Sequence, residues 1–210
     1  MLKFLIMENM TKRINKAFIL AGGIGSRINL NDKQNIKAFI EIDNEKLLIR
    51  QINLIKNNLN PEKIYIVITK YKKFYEDCIK DYNNVELIFN DKINNQKGLE
   101  LLLAYKKINN YLNEKENALI TLVDEYYDEK DFQSFCNAAW RKIYTILVAI
   151  KKIGFPEEYL KNYAVVIDKE KELINKSVEK SEEIISDYFG TGLICVDKDF
   201  TNLIEENLNK

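Results

Sequence analysis

The sequence predicts a single α/β domain, a three-layer sandwich around a mixed, mostly parallel central sheet, and three observations point there. The first is size: 210 residues are about one and a half ordinary domain lengths, enough for one compact core. The second is rhythm, because through the first two thirds of the chain short apolar runs alternate with longer amphipathic stretches, as parallel strands alternate with crossover helices. The third is composition: 46% hydrophobic and 11% aromatic residues supply a core, 30% charged residues keep its outside wet, and together they exclude disorder as the main state.

Ala17 to Ala21 reads as the first strand. From Glu45 to Leu59, Leu47, Leu48, Ile52 and Ile55 share one face, which predicts a helix covering the sheet, with Pro61 beyond its end. KIYIVIT, from Lys63 to Thr69, is a buried strand by its apolar run. Val85 to Phe89 and Ala118 to Val123 repeat that signature around a helix carrying Leu99, Leu102, Leu103 and Leu112. After Asp131 the pattern changes to strands with short connections, at Ile143 to Ile150, Tyr163 to Ile167, Leu173 to Val178 and Phe189 to Val196, which predicts hairpins. An acidic helix from Asp199 to Leu208 follows. No low-complexity linker or repeat divides the chain, so residues 15–210 are expected to form one domain. Residues 1–14 read as an extension, or as an upstream start before Met7 or Met10.

Charge and residue counts exclude several functions. Thirty-two basic residues balance 32 acidic ones, so there is no global field to hold a polyanion, and nucleic acid is not expected as a partner. The absence of histidine removes imidazole bases, Ser/His/Asp and Cys/His catalysis and His-ligated metals. Cys78, Cys136 and Cys195 form no CxxC pair, which argues against a zinc cluster or dithiol centre and fits a reducing cytoplasm. The longest apolar stretch, near Ile143 to Ile150, is far below the about 20 residues a membrane helix needs, so no membrane partner is expected. A homo-oligomer is left open. Chemistry falls to carboxylates, Lys, Arg and backbone amides.

Glycine is scarce, and three of the seven glycines, Gly22, Gly23 and Gly25, fall in AGGIGSR directly after the first strand. At the carboxyl end of a strand such a loop turns tightly and aims successive amides at one phosphate, although an ordinary tight turn has the same composition. A P-loop would need GxxxxGK followed by Ser or Thr, and a dinucleotide fingerprint would need Gly or Ala where Ile28 stands. Neither matches, leaving GGxGSR with Arg27 beside the same anion. Farther along, DEYYDEKD around Asp124 reads equally as a strand end and a helix cap, and SVEKSEE reads as an exposed turn.

LAGGIGSR, from Leu20 to Arg27, followed by Lys37 ten positions on, resembles the signature of the sugar-1-phosphate nucleotidyltransferases, also called nucleotide-sugar pyrophosphorylases. Ile36 stands where that family usually has Pro. The likeness continues in order through KLLIRQINLIKNN, QKGLELLLAY (with Gly98), LITLVDEYYDEKDF, NYAVVID, SVEK and DYFGTGLICVD, over roughly residues 17 to 200. It looks nearest to the thymidylyltransferase and heptose or mannose guanylyltransferase types, while NDK at Asn90 to Lys92 is similar to phosphocholine cytidylyltransferases. Val123 and Ala164 replace family glycines. The chain stops about ten residues after GLICVD, where family members usually continue to a second metal-binding Asp or Asn; neither Asp197 nor Asp199 fits that motif.

The resemblance implies a GT-A, nucleotide-diphospho-sugar transferase-like fold and transfer of an NMP from an NTP to a sugar 1-phosphate, with release of pyrophosphate, for surface polysaccharide or envelope synthesis. It implies nucleotide binding by Leu20, Ala21, Gly22, Gly23, Gly25, Ser26 and Gly98, catalysis by Arg27 and Lys37, Mg2+ at Asp124, and contacts to the phosphorylated substrate from Glu179, Lys180 and Thr191. Phosphoryl transfer of this kind runs on alignment and charge neutralisation, so a chain without histidine is equipped for it. The alternatives are a phosphocholine cytidylyltransferase-like enzyme and a noncatalytic nucleotide-binding relative.

Overall fold

A computed structural model of the chain describes residues 14–22, 36–90, 99–114, 116–141, 146–152, 163–168, 170, 173–179 and 183–208. Ten strands and five α-helices are described: β1 (Ile14–Leu20), β2 (Glu41–Ile42), β3 (Glu45–Lys46), α1 (Leu47–Leu59), β4 (Lys63–Ile68), α2 (Lys72–Ile79), β5 (Val85–Phe89), α3 (Leu99–Asn109), β6 (Asn117–Leu122), α4 (Glu129–Arg141), β7 (Ile146–Lys152), β8 (Tyr163–Asp168), β9 (Leu173–Glu179), β10 (Tyr188–Asp197) and α5 (Lys198–Leu208). They form the mixed, helix-flanked sheet expected of the sequence. Its order is β5-β4-β1-β6-β10-β8-β9, with β7 also paired to β10. Strands β5, β4, β1 and β6 run parallel, and the sheet then turns antiparallel through β10.

The sheet separates two apolar layers. On one face Leu48, Ile52 and Ile55 of α1, Tyr75 and Ile79 of α2, and Phe132, Phe135 and Cys136 of α4 pack on Ile14, Ala17, Ile19, Ile64 and Ile66. On the other, Ala104, Tyr105 and Ile108 of α3 meet Phe18, Tyr65, Val67 and Ile120, with Phe200 of α5 alongside. Leu48, Ile52 and Ile55 are wholly inaccessible to solvent, each contributing about 1.5–3 kcal/mol of transfer free energy. Among the described residues no helix is long and apolar enough to cross a membrane.

The sequence pattern misplaced several boundaries. The helix expected from Glu45 begins at Leu47, because Asp43 (φ 53°) and Asn44 (φ 65°) close a tight hairpin that draws Glu45 and Lys46 into β3. Asn60 ends α1 in the left-handed conformation, its N–H on the Lys56 carbonyl, and Pro61 prevents continuation. Helix α3 stops at Asn109, so Leu112 lies in the following turn, still buried. The change to strands placed after Asp131 comes later, since α4 occupies Glu129–Arg141. Asp128 caps α4 by accepting the Lys130 N–H at 2.8 Å, while Phe132, Phe135, Cys136 and Ala139 form its buried stripe. Helix α2, unassigned from sequence, buries Tyr75 and Ile79 and carries the ion pairs Lys72–Glu76 and Lys73–Asp77 outside.

Candidate active site

Because β4, β1 and β6 are parallel and in register, Val67, Leu20 and Leu122 align and the segments following these strands emerge at one edge. The ladder extends one residue further: Ala21 donates its N–H to Val67 O at 2.8 Å, and Val123 donates to Leu20 O at 3.1 Å. Gly22 then passes against Thr69, whose hydroxyl donates to the Gly22 carbonyl at 2.8 Å. A Cβ on Gly22 would lie 2.8 Å from the Thr69 methyl, so glycine is required there by close approach.

Lys37 opens a one-turn 3₁₀ helix, Lys37–Phe39, held from beneath. Ala38 is buried, and Phe39 packs on Tyr75 with ring centroids 5.0 Å apart. The Tyr75 hydroxyl donates to Ala21 O at 3.2 Å, so one buried tyrosine braces both the start of the glycine segment and the lysine turn. Burial pushes the Tyr75 phenol well above its ordinary range, and it stays a neutral donor.

Asp124 follows β6 and is joined to Lys37 by an ion pair across 87 positions of sequence. Both side chains keep partial contact with solvent, open to an incoming ligand. The turn carrying Asp124 is clamped from two sides. From α1, the buried Gln51 amide donates to Leu122 O (2.7 Å) and Glu125 O (2.9 Å), and its oxygen accepts the Thr121 hydroxyl at 2.6 Å. Arg50 beside it donates to Tyr127 O at 3.1 Å and stacks 4.2 Å from the Tyr126 ring. From the opposite side, Glu125 accepts the Gly192 N–H and the Tyr127 hydroxyl. Burial raises the Glu125 carboxyl above its ordinary value; these two donors lower it and the Asp124 charge raises it further.

Of the residues expected from sequence, Leu20, Ala21, Gly22, Lys37 and Asp124 gather at this edge. Thr191 lies in the irregular part of β10, its hydroxyl donating to Ala149 O at 3.1 Å; it is Gly192 beside it that touches the Asp124 turn. Glu179 ends β9, paired to Tyr163. Gly23, Gly25, Ser26, Arg27, Gly98 and Lys180 lie outside the described residues. Val123 points into the core, so its branched side chain does not line the edge. Sequence reading missed Gln51, Glu125 and Thr69 altogether and noted Asn90 only within NDK. Asn90 ends β5 with its N–H on Ile68 O (2.7 Å), and its buried side-chain oxygen has no partner among the described residues.

The donor chemistry fits Mg2+ in one specific way. Among the described residues no three His, Cys, Asp or Glu side chains converge, and the Glu125 oxygens are already engaged. Among the described residues at this edge, Asp124 is a partly exposed carboxylate, paired with Lys37 through one oxygen, and such a hard ligand would suit an ion held by one or two carboxylates together with substrate phosphates.

The chain is similar in sequence and in fold to several known proteins. A choline-phosphate cytidylyltransferase of Streptococcus pneumoniae is 31% identical over 107 residues, covering 50% of this chain and 45% of its own length. A bifunctional sugar-1-phosphate nucleotidylyltransferase/acetyltransferase of Sulfurisphaera tokodaii is 26% identical over 191 residues, 91% of this chain and 43% of its own. The chain thus spans less than half the length of either curated relative. In fold it is similar to a protein assigned as a glucose-1-phosphate thymidylyltransferase of Bacillus anthracis, with a TM-score of 0.74 and 18% identity over 91% of this chain and 74% of that one. The inositol-1-phosphate CTP transferase of T. maritima superimposes with a TM-score of 0.71 and 18% identity over 92% and 74% of the two chains. The nucleotidyl transferase family model matches residues 16–210, and the chain belongs to that family.

Proposed function

We propose that this chain transfers a nucleoside monophosphate from an NTP to a small phosphorylated acceptor, with a sugar 1-phosphate as the leading acceptor and an activated nucleotide-sugar for surface polysaccharide or envelope synthesis as the product. The observation that carries the reading is the Lys37–Asp124 pair, assembled beside Gly22 at the carboxyl edge of the parallel strands in a member of this family. An acceptor phosphate oxygen would attack the α-phosphorus while the bond to the bridging oxygen breaks and pyrophosphate leaves. Lys37 would release Asp124 and neutralise charge between the two reacting phosphates. The amides around Gly22, Gly23, Gly25 and Ser26, with Gly98, would hold the nucleotide, and Arg27 would neutralise the departing pyrophosphate. Asp124 would hold Mg2+, which when bound would supply charge neutralisation at the phosphates. Glu179, Lys180 and Thr191 would face the acceptor. An NTP donor goes with the cytoplasmic location expected from the sequence.

A second reading has CTP as donor and phosphocholine as acceptor. The 31% identity to a choline-phosphate cytidylyltransferase favours it, and the Asn90 oxygen, without a partner among the described residues, suits a base with an exocyclic amine donor. Pyrophosphate release measured over the four NTPs, each with glucose 1-phosphate, mannose 1-phosphate and phosphocholine under Mg2+, separates the readings. Turnover with none of these pairs would sink both and favour a noncatalytic nucleotide-binding relative.

A further inference from the structure

We propose that Glu125 is a positioning residue whose half-buried carboxylate locks the Asp124 turn to the Thr191–Gly192 segment of β10, so that the phosphate-handling residues and the acceptor end of the cleft are held as one unit. The proposal rests on the reading that Lys37 and Asp124 face the reacting phosphates and that the Thr191 segment faces the acceptor. Glu125 directly follows Asp124, yet the two carboxylates serve different partners: Asp124 meets Lys37, while both Glu125 oxygens lie 2.9 Å from the Gly192 nitrogen and Oε2 accepts the Tyr127 hydroxyl at 2.6 Å. The pairing of β10 with β7 shifts register between Gly190 and Ile194. Gly192 falls within that interruption, and its N–H finds the Glu125 carboxylate in place of a ladder carbonyl. The approach is close enough to demand glycine, since a Cβ at 192 would stand 2.4 Å from Leu122 Cγ and 2.8 Å from Glu125 Oε1.

A carboxylate withdrawn from water is costly and is retained only where donors satisfy it. Here the donors come from two segments with different tasks, the turn of Asp124 and the strand of Thr191. Removing the carboxylate frees the β10 segment from the turn, while Gln51 and Arg50 still hold the turn to α1. Acceptor binding is therefore expected to suffer more than nucleotide binding.

The test compares wild type, Glu125→Gln, which keeps an acceptor oxygen for the Gly192 N–H, and Glu125→Met, which keeps the length and no acceptor. Calorimetry measures CTP and dTTP binding with Mg2+, then phosphocholine and glucose 1-phosphate binding in the presence of a nonhydrolysable analogue, and thermal melts record folding. In Glu125→Met acceptor affinity is expected to fall about tenfold while nucleotide affinity changes less than about threefold, with Glu125→Gln restoring most of the loss. Equal loss of both ligands, no loss, or a Glu125→Gln variant as impaired as Glu125→Met overturns the proposal. If Glu125→Met does not fold, Tyr127→Phe, which removes one of the two donors, is expected to weaken the acceptor alone, and an unchanged acceptor affinity overturns the proposal. Wild-type protein that binds no nucleotide, or Asp124→Asn and Lys37→Met variants that bind it with Mg2+ as wild type does, overturns the underlying reading and this proposal with it.

Discussion

Replacing Gln51 with methionine removes the brace between α1 and the Asp124 turn while keeping side-chain length and most of the volume, so the cavity contribution is small. Three hydrogen bonds disappear: those to Leu122 O and Glu125 O and the one from the Thr121 hydroxyl. Leu122 O keeps the Glu125 N–H as a donor at 3.3 Å, but Thr121 loses its acceptor and Glu125 O loses the Gln51 donor. With about 1 kcal/mol net for each of the three neutral bonds and up to about 1 kcal/mol more for buried groups left unpaired, the loss is about 3–4 kcal/mol. That lies inside the about 5–15 kcal/mol stability of an ordinary domain, so the variant folds. Turnover is expected to fall about tenfold or more, because Asp124 is no longer fixed against Lys37. Thr121→Val removes only the hydroxyl and should cost about 1 kcal/mol, and the double variant should cost less than the sum of the two because they share a bond. Urea denaturation and pyrophosphate release read both effects. A Gln51→Met variant within about 0.5 kcal/mol of wild type, a margin usual for surface changes, and with unchanged turnover would refute the brace.

Lys37→Met and Asp124→Asn should each lower turnover by about 10²–10³-fold and shift stability by at most about 1 kcal/mol, because their ion pair is partly solvated; steady-state kinetics with thermal melts check this. Gly22→Ala should destabilise the chain by about 1–3 kcal/mol, since the new Cβ meets the Thr69 methyl at 2.8 Å, and adding Thr69→Ser, which keeps the hydroxyl and removes that methyl, should recover most of the loss in a denaturation assay. At the amino end of the sheet, burial pushes Glu116 up, but the Lys16 ammonium and the Asn113 N–H outweigh it and leave the carboxyl below its ordinary value of 4.5. Its contribution to stability is therefore complete above pH 4.5 and is lost as pH falls through the depressed folded value. Glu116→Gln should flatten that acid limb in denaturation curves taken between pH 7 and 3.

What could be read in one dimension was what a single periodicity carries. Lys63–Ile68 emerges within one residue of the expected bounds, because in a parallel sheet covered on both faces a strand is a nearly uninterrupted apolar run. The stripe of Phe132, Phe135, Cys136 and Ala139 is equally regular, but it follows an acidic run that reads as a strand end and a helix cap, and no helix is assigned beyond that cap. Gln51 had a signal: a polar side chain on the apolar face that also carries Leu48, Ile52 and Ile55, where burial demands several partners. Lys37 and Asp124 were found through resemblance, since no local pattern joins residues 87 apart.

Glu125 had no signal at all. Within DEYYDEKD it differs from its acidic neighbours only by being half-buried, and the Gly192 N–H that it meets is presented by a register shift in a strand more than sixty residues later. The interruption lies in the pairing of β10 with β7, just before the Ile194–Asp197 stretch that pairs with β6. It leaves the Gly192 N–H without a ladder partner in that pairing, and a backbone N–H withdrawn from water must be met by something. A carboxylate one position beyond Asp124 meets it, so the irregularity that hides Glu125 from the sequence is also what ties the Asp124 turn to the Thr191–Gly192 segment of β10.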